Sequence, residues 1–133
     1  MAQSVDKVLG DETVSLSVLK VLADNSFDSV LITDATKSGK IIYANKAFKA
    51  LTGHDPDKVI GKTPRILQGP ATDKKVLNRL RAALSKGTRF EGTAINYKKD
   101  GTPFIMEWRV VPAKVGRKTR VWLAIQREGS KVN

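Results

Sequence analysis

Residues 89–127, RFEGTAINYKKDGTPFIMEWRVVPAKVGRKTRVWLAIQR, contain three strand-like runs separated by two turn signals. The runs are 89–97, 102–111 and 119–127. Asp100-Gly101 marks the first hairpin, and Lys114 to Lys118 around Gly116 marks the second. Alternation assigns the faces. Phe104, Met106, Trp108 and Val110 fall on even positions, whereas Glu107 and Arg109 fall on odd ones. Phe90, Gly92, Ala94 and Asn96 continue the even face, and the small Gly92 and Ala94 beside Trp108 predict that something sits against it. The odd face carries Ile95, Ile105, Val111, Val121, Leu123 and Ile125, too apolar for open solvent.

Upstream, SVLITDA (29–35) and KIIYAN (40–45) read as a hairpin. KAFKALTG (46–53) is a short helix ended by Gly53, and DPDKVIG (55–61) is another turn of helix with Asp55 as cap and Pro56 first. Thr63-Pro64 repeats the cap-then-proline signal before RILQG. DKKVLNRLRAALSK (73–86) is the clearest helix, with Val76, Leu77, Leu80 and Leu84 as its apolar face. ETVSLSVLKVLAD (12–24) places Val14, Val18, Val21 and Leu22 on one helical stripe. Strands at both ends with helices between predict an α+β fold, one antiparallel sheet with short helices on one face. The N-terminal helix, or a second subunit, is expected to cover the odd face; a homodimer is favoured.

The 133 residues suit one domain, and 41% hydrophobic with 28% charged residues suits a packed core. No apolar run is long enough to span a bilayer and no secretion-signal layout opens the chain, so a cytoplasmic protein is expected. Cysteine is absent, which excludes disulfides and thiol chemistry; His54, the single histidine, follows a helix-ending glycine and reads as surface. The net charge of +11 is uneven. Residues 1–36 hold two basic and six acidic residues, and residues 37–133 the other 22 basic and seven acidic, a net +15. A basic body can attract nucleic acid or phosphate, but no basic block or interleaved stacking aromatics favour nucleic acid. No enzyme constellation is evident.

ITDATKSGKIIYANKAFKALTGHDPDKVIGKTPRILQGPATD, followed by INYKKDGTPF and WLAIQRE, resembles a PAS domain, and within that family the flavin-binding LOV blue-light sensors. The resemblance spans about residues 25–128 and implies the five-stranded antiparallel PAS sheet, with 1–24 as a capping helix and 129–133 as a tail. It implies FMN as cofactor, its phosphate held by Arg65 and Arg81, whose planar guanidiniums donate paired hydrogen bonds. Gln68 falls along the ribityl chain and Leu77 against the ring. Asn96 and Gln126 are the amides of the pyrimidine edge, with Gln126 responding when flavin N5 changes protonation.

Departures are equally specific. Thr63 and Pro64 stand where LOV domains have Asn-Cys, so the cysteinyl adduct is excluded. Met106 replaces a second pyrimidine-binding asparagine, and Ile66 an aromatic. Thr63-Pro64 also reads without a ligand, as cap and first-turn proline. The expectation is a signalling sensor that binds flavin noncovalently and responds through redox state or photoreduction, with Trp108, Tyr97 or Trp122 as electron donors and a separate partner for output. The alternative is a PAS dimerisation module whose inner face is filled by its own side chains. Only SKVN follows Gly129, so the chain is either a stand-alone short sensor or an excised domain.

Overall fold

The computed structural model describes residues 7–117 and 119–130. The start of the expected 1–24 segment, Lys118 of the last turn and the end of the 129–133 tail lie outside the described residues. Helix α1 (Glu12–Asp24) is followed by β1 (Ser29–Asp34) and β2 (Ile41–Ala44). Helices α2 (Lys46–Thr52) and α3 (Pro56–Val59), a 3-10 turn (Pro64–Leu67) and α4 (Lys74–Lys86) then lead to the meander β3 (Phe90–Tyr97), β4 (Pro103–Val115) and β5 (Thr119–Glu128). The five strands form one antiparallel sheet in the order β2-β1-β5-β4-β3. β1 and β5, distant in sequence, meet at its centre, and the short helices cover one face.

Capping chemistry sets most helix starts. Asp11, Asn45, Asp55 and Asp73 each accept a backbone N–H of the following first turn. Thr63 does not: Pro64 opens the 3-10 turn as expected, but the Thr63 side chain makes no capping bond. β4 runs to Val115, beyond the expected 111. Pro112 is tolerated because β3 ends opposite Val110, so β4 has no partner on that side from there onward.

The two faces follow the alternation. On the inner, helix-covered face Leu31, Ile41, Phe48, Val59, Leu67, Ala94, Met106, Trp108 and Trp122 share the main core. On the outer face Val30, Ile32, Val115 and Val121 pack with Ala23 of α1, and Leu19, Ala113 and Leu123 border them. α1 therefore caps the outer face, but not through the expected stripe. Ser15 and Ala23 are its buried residues and Leu19 is half-buried. The small Ala23 lies against the strands, and Ser15 Oγ donates to Leu9 O. Val14, Val18, Val21 and Leu22 point outward, Val21 and Leu22 at 61% and 64% exposure. The start of α1 also presses on the β4–β5 turn. Gly116 has φ 67°, and a Cβ there would lie 3.0 Å from that of Glu12, so glycine is required twice over.

α1 leaves the β3–β4 part of the outer face to charges and to the half-buried Ile95, Ile105 and Ile125. Glu91 pairs with Arg109 at 3.0 Å and with Arg89, and Arg127 with Asp28 at 2.7 Å. These exposed pairs add little stability.

Candidate functional site

The inner face of β3, β4 and β5 forms the floor of the candidate site. Gly92, Trp108, Gln126 and Ser29 lie in one row across four strands, and Ala94 pairs with Met106 in the next. Asn96 follows, opposite Phe104. The 3-10 turn and α4 form the roof, which carries Thr63, Pro64, Arg65, Gln68, Leu77 and Arg81. Thus the structure gathers the expected ligand residues into two facing layers. Trp108 and Trp122 are buried on the floor, with Trp122 near the other end of β5 from Gln126. Tyr97 lies apart from them, its ring against Gly69 at the roof's margin.

Two amides interrupt this apolar floor. Gln126 Oε1 accepts from Ser29 Oγ at 3.0 Å, with both residues buried. Asn96 Nδ2 meets Met106 Sδ at 3.2 Å; turned the other way, the amide nitrogen donates to Ile95 O and Leu67 O, each at 3.2 Å. A thioether is a weak acceptor, so the first arrangement leaves the amide poorly matched. No fully buried side-chain nitrogen or oxygen among the described residues lacks a partner. Arg65 and Arg81 are exposed at the roof's surface, and Arg81 Nη1 donates to Asn78 Oδ1 at 3.1 Å.

The space beside Trp108 belongs to this chain's own side chains. A Cβ on Gly92 would come within 2.4 Å of Phe90 Cζ and 3.2 Å of Val76 Cγ1. The Phe90 ring therefore lies over Gly92, with its centroid 5.3 Å from that of Trp108. A void wide enough for water would leave exposed surface on its walls. Ala94, Met106, Leu67, Gln126 and Asn96 are 0–5% exposed, so roof and floor are closed on each other. Two shallow, open depressions lie elsewhere on the surface. One of about 480 Å³ opens over Glu91, Glu107, Arg109 and Arg127, and one of about 400 Å³ lies beside Gly53, Lys98 and Lys99. For FMN, the donor set fits in kind: paired amides below, exposed guanidiniums above and an apolar lining between. Entry of the ring requires the roof to lift.

His54 departs from the surface reading. It is half-buried and stacked on Phe48, with ring centroids 6.3 Å apart. Burial, then the charges of Lys99 and Lys62, hold its pKa below the ordinary value. Sequence reasoning also missed Asn45. Its position before α2 signals a cap, but nothing local signals its second role. Its Oδ1 accepts from Val30 N and Phe48 N, and its Nδ2 donates to Ala23 O and Asp28 O.

Comparison with known proteins agrees with this architecture. The PAS domain family profile matches residues 28–130. The chain is 40% identical over 85 residues to phototropin-2 of Oryza sativa subsp. japonica, covering 63% of this chain and 9% of that protein. In structure it is similar to a light-oxygen-voltage domain from work with a flavin analogue, at TM-score 0.76 and 30% identity, covering 86% of each chain. It is likewise similar to the LOV domain of the blue-light activated histidine kinase of Erythrobacter litoralis EL346. There the TM-score is 0.72 at 30% identity, covering 78% of this chain and 97% of that one. No helix among the described residues is long and apolar enough to cross a membrane. With a family match across most of its length and LOV domains as structural relatives, the chain belongs to the PAS domain family, in its LOV branch.

Proposed function

We propose that this chain is a sensor module that holds FMN noncovalently between the 3-10 turn and α4 above and the inner sheet face below. The carrying observation is the pair of buried amides, Asn96 and Gln126, on a floor that is otherwise apolar. Arg65 and Arg81 take the phosphate, Gln68 and Leu77 lie along the ribityl chain and ring, and Thr63 and Met106 border the pyrimidine side. With no cysteine in the chain and Pro64 at the adduct position, the response is redox change or photoreduction, and Trp108 is the donor best placed to supply an electron.

The flavin supplies an N5 nitrogen that accepts a hydrogen bond when oxidised and donates one when reduced. Gln126 answers by turning its amide. Its oxygen now accepts from Ser29, so that turn would present an NH2 group to the hydroxyl instead. Ser29 adjoins Asp28, whose carboxylate holds Arg127 and whose carbonyl accepts from Asn45. Asn45 in turn holds the last turn of α1 through Ala23 O. The strain thus has a hydrogen-bonded route from the floor to the capping helix.

Output runs through a homodimer. The outward stripe Val14, Val18, Val21 and Leu22 forms the contact together with Ile95, Ile105 and Ile125 of the uncovered sheet face. A separate signalling partner reads the change; the role is sensing, not catalysis. The test is an absorbance spectrum of the purified protein, with mass spectrometry of what it releases on denaturation. Flavin bands and FMN support the reading. Neither bands nor thermal stabilisation by added FMN would sink it. One observation favours a second reading, a ligand-free dimerisation module: the core is closed by Phe90, Val76, Met106 and Trp108. The same spectrum separates the two.

A further inference from the structure

The roof hangs on the free edge of the sheet. β3 is an edge strand, and two of its outward carbonyls are taken by roof side chains: Thr72 Oγ1 donates to Ile95 O at 2.7 Å, and Arg79 Nη1 to Glu91 O at 3.3 Å. Thr72 lies in the connection 68–73, Gln-Gly-Pro-Ala-Thr-Asp, which joins the 3-10 turn to α4. Its buried hydroxyl also accepts from Gly69 N at 3.0 Å, and Thr72 N donates to Gly69 O at 3.1 Å, so the connection is folded on itself as well as tied to β3. Tyr97 fastens the same segment from the strand side. Its Oη accepts from Ala71 N at 2.9 Å, and its ring lies so close to Gly69 that a Cβ there would come within 2.3 Å of Cε1. Any side chain at 69 would displace the ring.

We propose that Tyr97, Gly69 and Thr72 form a latch that sets how often the roof lifts from β3, and so how fast a planar ligand reaches Asn96 and Gln126. Tyr97 acts here as a positioning residue, in place of the electron-transfer role expected for it. The closed walls around Asn96 and Met106 mean that a ring cannot pass while the connection is fastened. The ligand part rests on the inner face being a flavin site; the lifting of the roof does not.

The latch would refasten over a seated ring, so weakening it should speed arrival and departure alike. Thr72→Val removes the buried bond to β3 and should raise both the association and dissociation rates of FMN about tenfold, with Kd little changed. Tyr97→Phe keeps the ring on Gly69 and loses an exposed bond, so about threefold is expected. Free FMN fluorescence follows both rates. Amide hydrogen exchange on the full chain without added FMN gives the independent readout, and Thr72→Val should accelerate it across 67–76 by a similar factor. Unchanged exchange, or acceleration confined to the amide that loses its partner, overturns the latch. A fall in affinity through dissociation alone also overturns it, because that marks a direct ligand contact. Accelerated exchange in a protein that takes up no FMN keeps the latch and sinks the flavin reading.

Discussion

Asn45 and Asn96 are both buried asparagines, and the protein surrounds them in opposite ways. Asn45 uses its whole amide, with two backbone N–H groups at 2.9 and 3.1 Å from its oxygen and two carbonyls at 2.7 and 3.0 Å from its nitrogen. It joins the end of α1, the start of β1 and the first turn of α2. Asn96 has a thioether at 3.2 Å in one orientation and two carbonyls at 3.2 Å in the other. The first amide builds the fold. The second is used only in part, by a thioether in one orientation and by two carbonyls in the other. Burial alone does not separate the two asparagines; the number of their protein partners does.

The largest expected effect is at the structural node. Asn45→Ala removes four hydrogen bonds and strands buried backbone groups, so unfolding free energy should drop by about 3–5 kcal/mol, read from urea midpoints. A loss below about 1 kcal/mol would remove the contrast at its strong end. Asn96→Leu tests the other end: stability should change by no more than about 1 kcal/mol while FMN affinity falls ten- to a hundredfold by titration. Destabilisation as large as that of Asn45→Ala would make Asn96 structural too. Met106→Asn sharpens the comparison by supplying the second amide. FMN should bind about five- to tenfold more tightly, and unchanged affinity would show that Met106 does not border the ligand.

The smallest effect lies on the helix that Asn45 caps. His54 stacks on Phe48 of α2, and burial, Lys99 and Lys62 lower its pKa from the ordinary 6.5. The folded protein therefore binds a proton less readily than the unfolded chain. The stability contributed by neutral His54 is complete above that value and is lost as pH falls towards the folded one. Urea midpoints at about pH 7.5 and 5.5 should differ less in His54→Gln than in the parent. An equal slope in both proteins would assign the pH dependence to other groups.

Much of this was legible in the sequence, for identifiable reasons. Period-two alternation in 102–111 separates Met106 and Trp108 from Glu107 and Arg109, and the strands keep that division. The proposed ligand positions were legible only through the resemblance, since an exposed Arg65 or Arg81 is otherwise one cation among many. Of the two roles expected for the α1 stripe, covering the sheet of its own chain is not the one it takes. The most hydrophobic stripe of α1, Val14 to Leu22, is not the one that docks; Ala23 and Leu19 pack on Val30, Ile32, Val115 and Val121 instead. Hydrophobicity marks what must be covered, not which part the chain covers itself. Partners supplied from across the fold leave no local mark at all. Asn45 meets Ala23 O, and Thr72 meets Ile95 O, across 22 and 23 residues of chain.

In the proposed function the inner face is a noncovalent flavin site in a chain with no cysteine for an adduct. FMN titrated into ligand-stripped protein, with thermal unfolding followed in the dark and after blue light, tests it most directly. The transition temperature should rise with FMN, by an amount equivalent to about 2.7 kcal/mol at a hundredfold excess over Kd, and flavin should be released unmodified after illumination. A transition temperature indifferent to FMN would contradict it, as would flavin that stays covalently attached after denaturation.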